Sequence, residues 1–134
     1  MQPLASFKRA SAVALIVLTT LLALSAQTSA PLKYVKSSEV KVKGIVEEVK
    51  TAADGIVHLS LTTDKGPLDV MIAPERFLKE MEISFAKGDK VEILGAQVVN
   101  DGVPLLLARE VTRNGDVMLM RDDLGKPVWL GWPK

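Results

Sequence analysis

VHLSLTTDKGPLDVMIAPERFLKEM, residues 57–81, places two strands, the turn between them and the start of a helix in one short run. Val57, Leu59 and Leu61 share one face of an extended chain, while His58, Ser60 and Thr62 share the other, the period of a half-buried strand. Asp64-Lys65-Gly66-Pro67 supplies the residues of a tight turn. Leu68, Val70 and Ile72 then alternate with Asp69 and Met71 as a hairpin partner. Pro74 at the first helical position, Glu75 in the first turn, and Phe77, Leu78 and Met81 at helical spacing predict a helix of about two turns.

Working outward, Val40, Val42, Gly44 and Val46 alternate with Lys41, Lys43, Ile45 and Glu47 as a preceding strand. Gly44 in its middle is a candidate bend, because a strand-interior glycine weakens the strand unless the backbone must turn or approach closely. Asp54-Gly55 turns this strand into the next. Downstream, Lys87-Gly88-Asp89-Lys90 leads into Val91, Ile93 and Gly95 and on towards Val98, Asn100-Asp101-Gly102 turns again, and residues 104–113 supply a fifth strand. The predicted class is all-β with a small α component: a five-stranded, OB-fold-like barrel over 39–113, with a short helix between strands three and four. An SH3-like small barrel is the rival plan. Beyond it, Val117, Leu119 and Arg121 alternate with Met118 and Met120, and Asp122–Pro127 turns into Val128-Trp129-Leu130-Gly131-Trp132, an added C-terminal hairpin over 114–134.

Lys8 and Arg9 precede the apolar run Ala12–Leu24, which is signal-peptide anatomy. At about 13 residues the run is short of the roughly 20 needed to span a bilayer core. Cleavage after Ala26 is expected, with Ala30 a later alternative that sets Pro31 just past the cut. Residues 31–38 form a lead-in. The protein is expected in the periplasm or secreted, with no stable membrane span after cleavage. Without cysteine it has no disulfide and no thiol to acylate.

Three runs carry a resemblance: Val42-Lys43-Gly44-Ile45-Val46, Lys87-Gly88-Asp89-Lys90-Val91-Glu92-Ile93-Leu94-Gly95 and Leu107-Ala108-Arg109-Glu110-Val111. In this order and behind an export signal, the chain resembles the bacterial periplasmic OB-fold domain proteins of uncharacterised function. Arg121-Asp122-Asp123-Leu124-Gly125-Lys126-Pro127-Val128-Trp129 resembles a closing motif of such domains. The resemblance implies a binding or assembly module more than an enzyme.

Without the export segment the chain carries 15 basic and 16 acidic residues, a net charge near −1. Phosphate neutralisation calls for a basic excess, and single-strand binding for aromatic platforms. Strands one to five contain no Phe, Tyr or Trp, so nucleic acid is a lesser expectation. No catalytic constellation is visible: Ser60 and His58 lack a nucleophile turn, and no phosphate-cradling loop occurs. His58 with Met71, Met118 and Met120 forms no metal-ligand spacing, so neither a metal nor a cofactor is expected.

The outward strand faces offer Lys41, Lys43, His58, Ser60, Asp69 and Met71 as ligand-binding candidates, provided Val42, Leu59 and Val70 point inward. Met118, Met120, Trp129 and Trp132 are the partner-binding candidates of the tail, since tryptophan is enriched at interaction hot spots. The expected function is a non-catalytic accessory domain that docks on a cell-envelope protein. The alternative is a small-ligand or metal-ion binding protein using the strand two to three face.

Overall fold

The computed structural model describes residues 32–131, so the export segment at 1–26, its cleavage site and Trp132 lie outside the described residues. The strands are β1 (Glu39–Thr51), β2 (Ile56–Thr63), β3 (Gly66–Pro74), β4 (Lys90–Asn100), β5 (Val103–Arg113) and β6 (Asp116–Leu119). Helix α1 (Glu75–Glu80) lies between β3 and β4, and a 3-10 turn at Lys36–Ser38 precedes β1. The sheet runs β3-β2-β1-β4-β5-β6, and a further β3–β5 pairing closes the first five strands into a barrel with β6 outside it. That closure is a parallel ladder, Asp69–Met71 against Leu105–Leu107, whereas the other ladders are antiparallel. The result is an OB-fold-like barrel with an added strand.

One long strand makes the closure possible. β1 pairs with β4 from Glu39 to Ile45 and with β2 from Ile45 to Thr51, so the change of partner falls beside Gly44. A Cβ at Gly44 would stand 3.0 Å from the Thr62 carbonyl oxygen and 3.3 Å from the Leu61 side chain, which explains the missing side chain. Three residues after Gly44 a bulge at Glu47 shifts the register, since Val46 faces Leu61 but Glu48 faces Ser60. Bulges of this kind bend a strand and sharpen its twist.

The core follows the period-two pattern. Leu59, Leu61, Val70, Ile72, Ile93, Leu106 and Val111 are fully buried, and Phe77 and Leu78 of α1 close one end. Fully burying one such aliphatic side chain contributes about 1.5–3 kcal/mol, against about 0–1 kcal/mol for an exposed ion pair. The core therefore dominates stability. β5 is buried without a break from Leu105 to Arg109, so both of its faces are covered there.

Two details depart from the sequence-based expectation. Met81 was expected on the buried helical face but is exposed, because α1 ends at Glu80 and Glu82 adopts a left-handed φ of 58° that reverses the chain. In the tail, β6 pairs with β5 across a turn whose Asn114 and Gly115 both have positive φ. The hairpin from Met120 onward is reduced to one bridge, Arg121 with Pro127, flanked by backbone bonds Asp122 N–H to Lys126 O and Val128 N–H to Met120 O. Pro127 has no N–H to extend the ladder, and residues 128–131 continue as turns.

Candidate binding site

The six ligand-binding candidates divide into two groups. His58, Ser60, Asp69 and Met71 form a compact square on β2 and β3, with His58 opposite Met71 and Ser60 opposite Asp69. His58 Nδ1 lies 3.3 Å from Asp69 Oδ2, while Asp69 Oδ1 is buried with no hydrogen-bond partner. Lys50 and Glu48 stand opposite His58 and Ser60 on β1. Lys41 and Lys43, expected on this same face, do not reach it. They belong to the half of β1 that pairs with β4, where both approach the Glu92 carboxylate, at 4.0 and 3.8 Å. The partner change at Ile45 and the bulge at Glu47 separate the two groups, and neither feature is visible in residue alternation. Val42 is half-buried and Leu59 and Val70 are fully buried, all on the inner side. Among the described residues no group of three His, Cys, Asp or Glu side chains is placed to hold a metal ion.

The lysine pair borders the larger concavity. An open cleft of about 850 Å³ runs between Val40–Lys43 of β1 and the β2–β3 turn, Thr63–Leu68, with Glu92 and Gln97 at its side. A second hollow of about 580 Å³ shares Lys43, Thr63, Asp64 and Glu92 with it and continues past Gly44 and Ile45 to Lys90 and Thr112. The two make one groove along β1. Its floor is apolar, because half-buried Val40, Val42 and Leu68 pack on the core from below. Its rim carries Lys41, Lys43, Lys65 and Lys90 against Asp64 and Glu92.

The tail candidates are largely committed to internal packing. Met120 was expected at the surface but is fully buried in the core, because its backbone N–H bonds the Arg109 carbonyl and directs the side chain inward. Met118 is half-buried against the core, and Trp129 packs on Phe77 with ring centroids 5.9 Å apart. Exposed apolar surface in this region comes instead from Val117, Leu119, Leu124 and Leu130.

The closing motif has a structural explanation. The Arg121 guanidinium sits 5.3 Å from the Tyr34 ring centroid and 5.7 Å from that of Trp129, and donates to the Gly125 carbonyl at 2.9 Å. Such stacking of a cation on aromatic faces is attractive. Asp122 Oδ1 accepts from the backbone N–H groups of Leu124 and Lys126, which fixes the turn. Tyr34 in turn donates its hydroxyl to Glu39, whose carboxylate also takes the Arg109 Nε at 2.6 Å. Arg109 extends the network to Glu110 and Asp123. The Tyr34 hydrogen bond, backed by Arg109, holds the Glu39 carboxyl below its usual range, while burial and the bond to Glu39 push the Tyr34 phenol up to about 12. Burial lowers the Arg121 guanidinium. Lead-in, barrel and tail are thereby clasped together. Sequence reasoning missed this network because its central ion pair joins Glu39 to Arg109, 70 residues apart along the chain.

A family model described as the MamS/MamX magnetosome protein family matches residues 33–118. No curated protein matches the chain. Among solved structures, one titled "Structure and Conformational Change of a Replication Protein A Heterotrimer Bound to ssDNA" is similar at 16% identity and a TM-score of 0.43. The match covers 63% of this chain and 59% of that one. At that level it carries no argument about function.

Proposed function

The chain belongs to the MamS/MamX magnetosome protein family, and on that premise we propose that it is a non-catalytic accessory domain that docks on a protein partner in the cell envelope as part of magnetosome assembly. The observation that carries this reading is the groove along β1, where half-buried Val40, Val42 and Leu68, packed against the core, reach the surface between charged rims. An open, elongated groove with an apolar floor suits a polypeptide better than a small molecule, which is usually held in an enclosed pocket. The polar clusters fit the same account, since Tyr34, Glu39, Arg109 and Arg121 bind one another and the backbone and so hold the fold together. Export to the periplasm belongs to this proposal, resting on the sequence of residues 1–26; no helix among the described residues is long and apolar enough to cross a membrane.

One observation favours a second reading at the β2–β3 face. Asp69 Oδ1 is buried without a partner beside His58, and a small polar ligand or an ion there would satisfy it.

The test is affinity capture from the host's own envelope extract with wild type, Lys41→Glu/Lys43→Glu and His58→Ala/Asp69→Ala, followed by reconstitution of the captured protein with the purified domain. The docking reading expects a stoichiometric complex that survives the His58/Asp69 change. Failure of any purified protein to form a complex with the wild-type domain overturns it.

A further inference from the structure

The inference rests on the docking reading and names what docks. From Glu39 to Gly44 one edge of β1 pairs with β4, and the other has no backbone partner among the described residues, because β2 joins only at Ile45. Alternate residues along that free edge present an N–H and a C=O outward, the template on which an extended segment adds as a strand. The apolar floor of the groove lies directly beneath. On its rim four lysines face two carboxylates, and one of these, Glu92, is already shared between Lys41 and Lys43.

We propose that this groove binds an acidic, extended segment of another protein, which pairs with the free edge of β1. A strand of period two suits both halves of the site, since alternate side chains go to the floor and to the lysine rim. The occupant is not supplied by the stretches of this sequence outside the structure. Residues 1–31 contain Lys8 and Arg9 but no acidic residue, and residues 132–134 contain none either.

The probe is a short fluorescent peptide of alternating valine and glutamate, titrated against the domain beside two controls. In one, lysine replaces glutamate; in the other, alternate backbone amides are N-methylated in either register. The glutamate peptide is expected to bind in a salt-sensitive way and to slow amide hydrogen exchange in Val40–Gly44. Lys41→Glu/Lys43→Glu is expected to weaken it by about tenfold or more, and N-methylation to do the same. Undiminished binding of either control peptide, undiminished binding by the double variant, or no binding at all overturns the proposal. So does self-association of the domain that the double variant abolishes, which would give the groove to a second copy. An envelope partner still held by Lys41→Glu/Lys43→Glu would leave docking intact while removing it from this groove, so the two failures are separable.

Discussion

Gly125 shows how one atom's absence holds the tail in place. A Cβ there would lie 2.3 Å from the Tyr34 ring, and its φ of 86° is in the left-handed region. Gly125→Ala is expected to destabilise the domain by about 1–3 kcal/mol, the range for a residue forced into a disfavoured backbone region or overpacked against a neighbour. Urea unfolding checks the value. In a Tyr34→Ala background the steric part is already relieved, so the two changes are expected to be less than additive. Tyr34 also predicts a pH dependence. Its phenol is raised from 10.0 to about 12 in the folded protein, so its contribution is complete below pH 10 and lost as the pH climbs through about 12. Glu39 works in the opposite sense: its depressed carboxyl stabilises the fold above the ordinary value of 4.5 and loses that contribution as the pH falls through its lowered folded value. Tyr34→Phe is expected to flatten the alkaline limb of the stability profile, and Glu39→Gln the acid limb. Coincidence of either limb with wild type would contradict the hydrogen-bonded roles assigned to them.

Among the elements, β1 connects fold to site. Alternation of Val40, Val42 and Val46 made the strand legible, and Gly44 marked where it would bend. It could not show that Lys41 and Lys43 would be parted from His58 and Asp69, since that depends on which neighbour each half of the strand takes and on one bulged residue. Gly44→Val is expected to cost about 1–3 kcal/mol, because overpacked side chains at a close approach force backbone shifts; thermal unfolding reads it as a lowered Tm. The tail was harder to read. Asn114-Gly115 is a strong local hairpin signal, and it joins β5 to β6, whereas the longer Asp122–Pro127 turn beyond it closes only a single bridge, Arg121 with Pro127. Met120 and Trp129 enter as partner-binding candidates because hydrophobic alternation does not say which side of an added strand is covered. Only the tertiary contacts with Phe77 and the core decide that.

For the whole molecule, strand order and turn chemistry were enough to indicate a closed barrel, because the core residues of β1 to β3 follow a period of two, while β5 is buried on both faces, and each turn carries its own glycine or asparagine. The choice of ligand was not legible, since it depends on which strand edges closure leaves free. The charge and aromatic arguments still give a prediction at this scale: labelled single-stranded DNA at moderate salt is expected to show no sub-micromolar, salt-sensitive binding by fluorescence anisotropy, for want of a basic excess and a stacking platform. The account as a whole turns on where the partner sits. Photocrosslinking in the living host, with a photoreactive side chain placed in turn at Lys43, His58 and Leu119, tests this most directly. A discrete adduct of one mass at position 43, absent at position 58, is the predicted result. An adduct confined to position 58 or 119, or none at any of the three, would contradict docking along β1.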